Sequence, residues 1–441
     1  MSFDLLIRDG IVVLPWGEVE ADIGVKRGKI AAIGKNLGPA AEEFNAAGLH
    51  VLPGIIDPHV HFRDGGYGGI PGVEDMRSGS LAAVLGGVTT ALDMPNTKPP
   101  TTSEETVRTK YDYIPGHAYC DFGFYVGATK ENADDLGRLE EMPGVCGIKV
   151  FAGSSTGDLL VEDDENIERV LRASRHLVAF HSEDEYRLQE RKPRFQVGDP
   201  YASHAEWRDP ECAYRGTRRI AALARKTNKR AHILHVSTRE EFAFIKDHKD
   251  LMSGEVLVNH LLQCGPEAYE RLGGYAVMNP PIRSKEHQDA AWAAVADGTV
   301  DTIATDHAPH AAEAKERPWP TCHSGLTGVQ TALPLMLTQV NAGRLSLLRL
   351  VDLMSAGPAR IYGAVGKGRI AAGYDADFSI VDMKAKRRIE NSMIASQCGW
   401  TPFAGTDCTA WPMATIIRGS VVMFEGVVPG EPQGRAVTFR H

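Results

Sequence analysis

Residues 54–66 read GIIDPHVHFRDGG. An apolar lead-in ends in His59 and His61, one residue apart, and Arg63 and Asp64 follow at once. In an extended strand, side chains at i and i+2 share a face. The two imidazoles therefore project together, and Asp57 and Arg63 share their face if the extension continues. Paired imidazoles at a strand end suit a metal ion and fit an apolar core badly. The plain alternative is a polar strand end in water. The same placement recurs down the chain. Asn96 closes VTTALDMPN, Lys149 lies inside GVCGIKVF, His181 falls near the end of HLVAFHSE, His235 within AHILHVST and Asp306 within VDTIATDHAPH. Each has an ordinary reading alone: a hydrogen-bonded scaffold histidine, a strand lysine facing solvent, an aspartate capping a turn. Together His59, His61, His181, His235, Asp306 and Lys149 supply enough ligands for two divalent metals.

Lys149 needs chemistry of its own, because an ammonium repels a metal. A lysine that loses its proton can react with CO2 to give a carbamate (N6-carboxylysine), an anionic ligand with two oxygens. Burial and nearby metal charge both favour the neutral amine that this requires.

The elements that must position these residues are legible. Eight apolar runs alternate with helical stretches: LPGIIDPHV, VTTALDMPN, CDFGFYVGA, GVCGIKVF, HLVAFHSE, AHILHVST, GEVLVNHLL and VDTIATDHAPH. Helices are expected at 75–86, 103–113, 131–141, 163–174, 209–227, 238–246 and 285–297. Such alternation implies parallel strands buried on both faces. It predicts an α/β fold, a (β/α)8 TIM barrel with active-site residues at the C-terminal strand ends. An open doubly wound sheet is the alternative, but no GxGxxG or P-loop pattern follows a strand. Both chain ends instead read as short strands with glycine turns. They imply a small β-sandwich domain from residues 1–52 and 366–441, around a barrel at 53–365.

The formal charge of −9 argues against nucleic acid as a partner, which would require a basic surface. Seven cysteines without a CxxC pair suggest neither a disulfide framework nor a thiolate zinc site, and a reducing cytoplasm fits them. Charges throughout the first apolar stretch exclude a secretory signal. No apolar run of about 18 residues occurs, so no membrane span is expected.

The motifs HVHFRD, DMPNTKPPTT, GIKVFAGSSTG, FHSEDE, ILHVST, MNPPIRS and TDHAPH, in this order and with CGWTPFAG near the C-terminus, resemble the dihydroorotases of the amidohydrolase superfamily. The resemblance implies a distorted barrel, a binuclear zinc centre and the reversible cyclisation of N-carbamoyl-L-aspartate to L-dihydroorotate. It also implies a small-molecule substrate and a homo-oligomer, dimer or tetramer. Carried over by motif, His59, His61 and Asp306 would bind one zinc and His181 and His235 the other. Carboxylated Lys149 would bridge them, a metal-bridging hydroxide would attack, and Asp306 would shuttle the proton. Arg63, Asn96 and His310 would hold the substrate carboxylate. Asn279 and the backbone of 261–262 would touch the ring, and 153–160 reads as a mobile loop over the site.

Two alternatives accompany this reading. Hydantoinase-, dihydropyrimidinase- and allantoinase-like enzymes share the metal ligands but have no need of a carboxylate clamp. A non-catalytic scaffold is a second class, which the six filled ligand positions disfavour. The sequence departs from the family pattern at the glycine-rich GGYGGIPGVED after HFRD, beside the expected substrate site.

Overall fold

The computed structural model describes residues 2–155 and 159–440. All eight apolar runs form strands: Ile55–Val60, Val88–Asp93, Asp121–Gly127, Val145–Phe151, Val178–His181, Ala231–Ile233, Met252–Leu257 and Thr302–Ala304. They lie side by side in chain order and pair in parallel throughout. The eighth returns to the first through a parallel bridge between Val60 and His307, where His61 N donates to His307 O at 2.7 Å. A nearly closed barrel results. Asp57, on the same strand face as His59, does not reach the mouth. It accepts from Thr305 Oγ1 at 2.6 Å and so ties the first strand to the eighth.

The expected helices cover the barrel, at Met76–Leu85, Glu104–Tyr113, Asp164–Ala173, Pro210–Thr227, Arg239–Asp247 and Lys285–Asp297, with a broken turn over 133–139. Residues 185–207 carry two further short helices, Glu185–Arg191 and Ser203–Trp207, which the alternation did not announce. Gly216 shows why a large residue is excluded where the helix Pro210–Thr227 backs onto the fifth strand end. A Cβ there would lie 1.4 Å from Ser182 O, next to His181.

The chain ends form a strand-rich unit with its own apolar core, built on Ile7, Val12, Ile23, Phe378 and Ile416 among others. Its long strand Phe3–Leu14 pairs with Gly17–Lys26 on one edge and with Ala40–Asn45 and then His50–Pro53 on the other. Phe378–Asp382, Trp411–Ile417 and Ser420–Phe424 extend the sheet antiparallel. The C-terminal region does not stay with this sheet. Trp400 Nε1 donates to His310 O at 2.8 Å on the barrel, and Phe122 N donates to Arg435 O at 3.0 Å. Among the described residues no helix is long and apolar enough to cross a membrane.

Candidate active site

The strand-end residues converge on one polar cleft at the barrel mouth. His59, His61, Arg63, Asn96, Lys149, His181, His235, Asn279 and Asp306 all line it, with Phe151, Ser155, Ala308, Ser324 and Gly325. His310 sits behind Arg63, with its Nε2 3.3 Å from the guanidinium.

Hydrogen bonds assign the histidine tautomers. His59 Nδ1 lies 2.7 Å from Glu255 Oε1, and His61 Nδ1 lies 2.7 Å from Asn96 Oδ1. Both oxygens accept, so each Nδ1 carries the proton and each Nε2 presents a lone pair. Those two Nε2 atoms converge on Asp306 Oδ1 at 3.2 and 2.9 Å, and all three donor atoms lie within 4.8 Å of one another. His181 directs Nε2 to Glu183 Oε2 at 3.0 Å and Nδ1 toward His235 Nε2, also at 3.0 Å. Among the described residues the buried Nδ1 of His235 has no hydrogen-bond partner. Imidazole and carboxylate atoms at these spacings fit a shared divalent cation with bonds of about 2.0–2.2 Å. Burial pushes His59 down to about 3 and His61 to about 4, so both are neutral, as ligands must be.

Lys149 lines the same cleft as both groups, and its charge acts on His59, His181, His235 and Asp306. Its Nζ sits 4.6 Å from the Phe151 ring centroid. Among the described residues no carboxylate comes within 4.0 Å of it. Burial pushes its amine down to about 7, against the pull of Asp306 and Glu255.

Local structure fixes these side chains. Thr238 and Glu241 form a reciprocal capping box just after His235, and Asp184 caps the helix that starts beyond His181. Arg63, His235 and Asp306 all hold positive φ, at 60°, 39° and 48°. Such backbone is unfavourable for non-glycine residues and gathers at functional sites. Gly325, at φ 143°, lines the cleft where a Cβ would meet Ala308 O at 2.4 Å.

Arg63 is buried, 5% exposed. Asp306, Asp93 and Glu74 pull on its charge from beyond contact distance, and the two acids nearest it in sequence and in strand order, Asp64 and Asp93, are engaged elsewhere. Asp64 Oδ1 accepts the backbone N–H groups of Gly66, Tyr67 and Gly68. Asp93 accepts from Lys110 Nζ at 2.6 Å and Phe62 N at 2.7 Å. Among the described residues no carboxylate lies within 4.0 Å of the guanidinium.

Other expectations fare differently. Leu261 and Leu262 do not line the cleft, and Leu261 O instead accepts from Trp292 Nε1 at 2.9 Å. The glycine-rich stretch 65–72 does not line it either. Glu74, just beyond, braces the eighth-strand loop through His307 at 2.8 Å. Of the expected mobile loop 153–160, residues 156–158 lie outside the described residues. Sequence reasoning missed Glu255, Glu183 and Arg208, whose Nη2 donates to Glu183 at 2.5 Å. A signal existed for the two acids: Glu255 is a carboxylate in the apolar run GEVLV, and Glu183 stands two residues after His181.

The amidohydrolase family model matches residues 50–422, which takes in the barrel and every residue of the cleft. This chain belongs to the amidohydrolase family. A dihydroorotase of Methanosarcina acetivorans is 33% identical to it, over 93% of this chain and 90% of that one. An allantoinase of Streptomyces avermitilis is 32% identical, over 99% and 98%. Among solved structures, an L-hydantoinase (dihydropyrimidinase) from Arthrobacter aurescens matches with a TM-score of 0.92 at 29% identity, covering 99% of this chain and 100% of its own. The distribution of similarity across these amidohydrolases leaves the substrate to the residues of the cleft.

Proposed function

We propose that this amidohydrolase is a dihydroorotase, interconverting L-dihydroorotate and N-carbamoyl-L-aspartate in pyrimidine biosynthesis. The observation that carries the reading is Arg63, a buried guanidinium in the cleft whose neighbouring acids are already bonded elsewhere. A buried charge is costly without an opposite one. A substrate carboxylate supplies it, in the bidentate geometry a guanidinium fits best. Asn96, which lines the cleft with its Oδ1 held by His61, would be a second contact to the same carboxylate. His310 Nε2 donates to Ser324 O at 2.9 Å and so fixes the loop beside Arg63 without accepting from the guanidinium.

His59, His61 and Asp306 would hold one zinc and His181 and His235 a second, with carboxylated Lys149 as a further ligand; the clustering of His59, His61 and Asp306 supports the first. Ions so held supply Lewis acidity toward the ring carbonyl and lower the pKa of water. Glu255 and Glu183 keep His59 and His181 in the tautomers that ligation needs. Asp306 takes a proton on the oxygen its imidazole neighbours leave open and returns it to the leaving ring nitrogen.

The L-hydantoinase and allantoinase relatives favour a second reading, a cyclic amidohydrolase for a ring without the carboxylate. A side-by-side assay of dihydroorotate, dihydrouracil, hydantoin and allantoin, with wild type and Arg63→Met, decides between them. The dihydroorotase reading expects the wild type to prefer dihydroorotate. The substitution should lower its kcat/KM by about 10- to 100-fold, as for one lost charge-assisted contact, and spare the neutral rings. A wild type that prefers a neutral ring, with Arg63→Met unchanged, overturns it.

A further inference from the structure

Asn279 lines the cleft on the segment MNPPIRS, and behind it runs a chain of buried polar contacts. Trp319 Nε1 lies 3.1 Å from His204 Nδ1. His204 Nε2 lies 3.0 Å from Asn279 Oδ1 and 3.0 Å from Met278 O. Trp319 and His204 are both buried, 1% and 2% exposed. An indole N–H can only donate. His204 Nδ1 must therefore accept, and its single proton sits on Nε2. That proton is donated, so the amide atom of Asn279 facing it must be the oxygen. A flipped amide would set N–H against N–H in a buried site. The Asn279 amide nitrogen is left facing the cleft, 3.5 Å from Ser155 Oγ. Burial, with Arg208 nearby, pushes His204 down to about 3, consistent with a neutral ring.

We infer that Trp319 and His204 are positioning residues that make Asn279 a hydrogen-bond donor toward the substrate, so the ligand atom at this wall is an acceptor, a carbonyl or carboxylate oxygen. This rests on the reading that Asn279 touches the substrate. His204 comes from the helix Ser203–Trp207, outside the regular alternation of the barrel. The insertion thereby selects which pole of an amide the substrate meets.

Two measurements test this. The first needs no substrate. In the metal-loaded enzyme, 15N NMR of the imidazoles should place the proton of His204 on Nε2, and Trp319→Phe should let the other tautomer appear. A proton on Nδ1 in the wild type overturns the inference whatever the enzyme hydrolyses. The second is kinetic, on whichever cyclic amide the wild type turns over best. His204→Phe should raise KM about three- to tenfold, the range for one neutral hydrogen bond, with kcat nearly unchanged. His204→Gln, which can accept from Trp319 and donate to Asn279, should restore most of it. Equal loss in both variants, or a fall in kcat at constant KM, overturns the positioning role. Failure of every cyclic amide would sink the hydrolase reading and leave the tautomer result standing.

Discussion

Two sets of buried cations lie at opposite ends of the barrel, and they are treated oppositely. At the strand starts, Lys367 from the C-terminal region meets Asp121 Oδ2 at 2.5 Å, Asp377 at 2.6 Å and Asp375 at 3.1 Å. Arg418 also pairs with Asp121. Burial alone would depress the Lys367 ammonium, but Asp377 and Asp121 outweigh it and hold it above its ordinary value. At the mouth, Lys149 and Arg63 are equally buried, yet among the described residues no carboxylate lies within 4.0 Å of either. Here burial wins, and Lys149 falls to about 7. The floor is complete and ties the terminal sheet to the barrel. At the mouth the buried cations have no such partners among the described residues.

The contrast breaks most sharply at Lys149. Lys149→Ala should lose bound metal and cut kcat/KM by about a thousandfold or more, several kcal/mol of charge stabilisation. Added short carboxylic acids should restore part of both by replacing the missing oxygens. Chelation of the wild type should abolish activity and zinc should return it. A Lys149→Ala protein that keeps two metals by elemental analysis and most of its activity would make the residue an ordinary strand lysine.

At the floor the expected loss is in stability. Lys367→Met takes the ammonium from Asp377, while Asp121 keeps Arg418 and Asp375 keeps Lys29, and removing one partner of a buried ion pair costs about 3–5 kcal/mol. A lower denaturant midpoint should report it, while kcat/KM of the folded fraction stays within about twofold. A catalytic defect without a stability defect would show that floor and mouth are not separable in this way.

Arg63→Lys gives the smallest and sharpest effect. It keeps the charge and loses the planar fork. It should recover part of the dihydroorotate activity that Arg63→Met loses, leaving about a 3- to 10-fold deficit, as for one contact of the pair. Full recovery would mean that the cleft reads charge without geometry.

These outcomes depend on levels of structure that were not equally legible. The barrel strands and most helices were readable because their signals are local, in period, length and flanking turn residues. The residues that line the cleft were readable because a polar residue at the end of an apolar run is conspicuous in one dimension, and in a barrel all such ends meet at one mouth. The insert at 185–207 carries neither period, and the contact of Trp400 with the eighth-strand loop spans 90 residues.

The sequence by itself determined the barrel, the terminal strands and which strand-end side chains line the cleft, since alternation and strand-end placement are set by neighbours along the chain. Only the tertiary structure decided which nitrogen of each histidine carries the proton, that Asp64 and Asp93 are spent before Arg63 can reach them, and which face of Asn279 looks into the cleft. Those depend on partners such as Glu255, 196 residues from His59, and on Trp319, 115 residues from His204. Hydrogen-bond direction and charge pairing are properties of atoms brought within about 3 Å, and the fold alone brings these together.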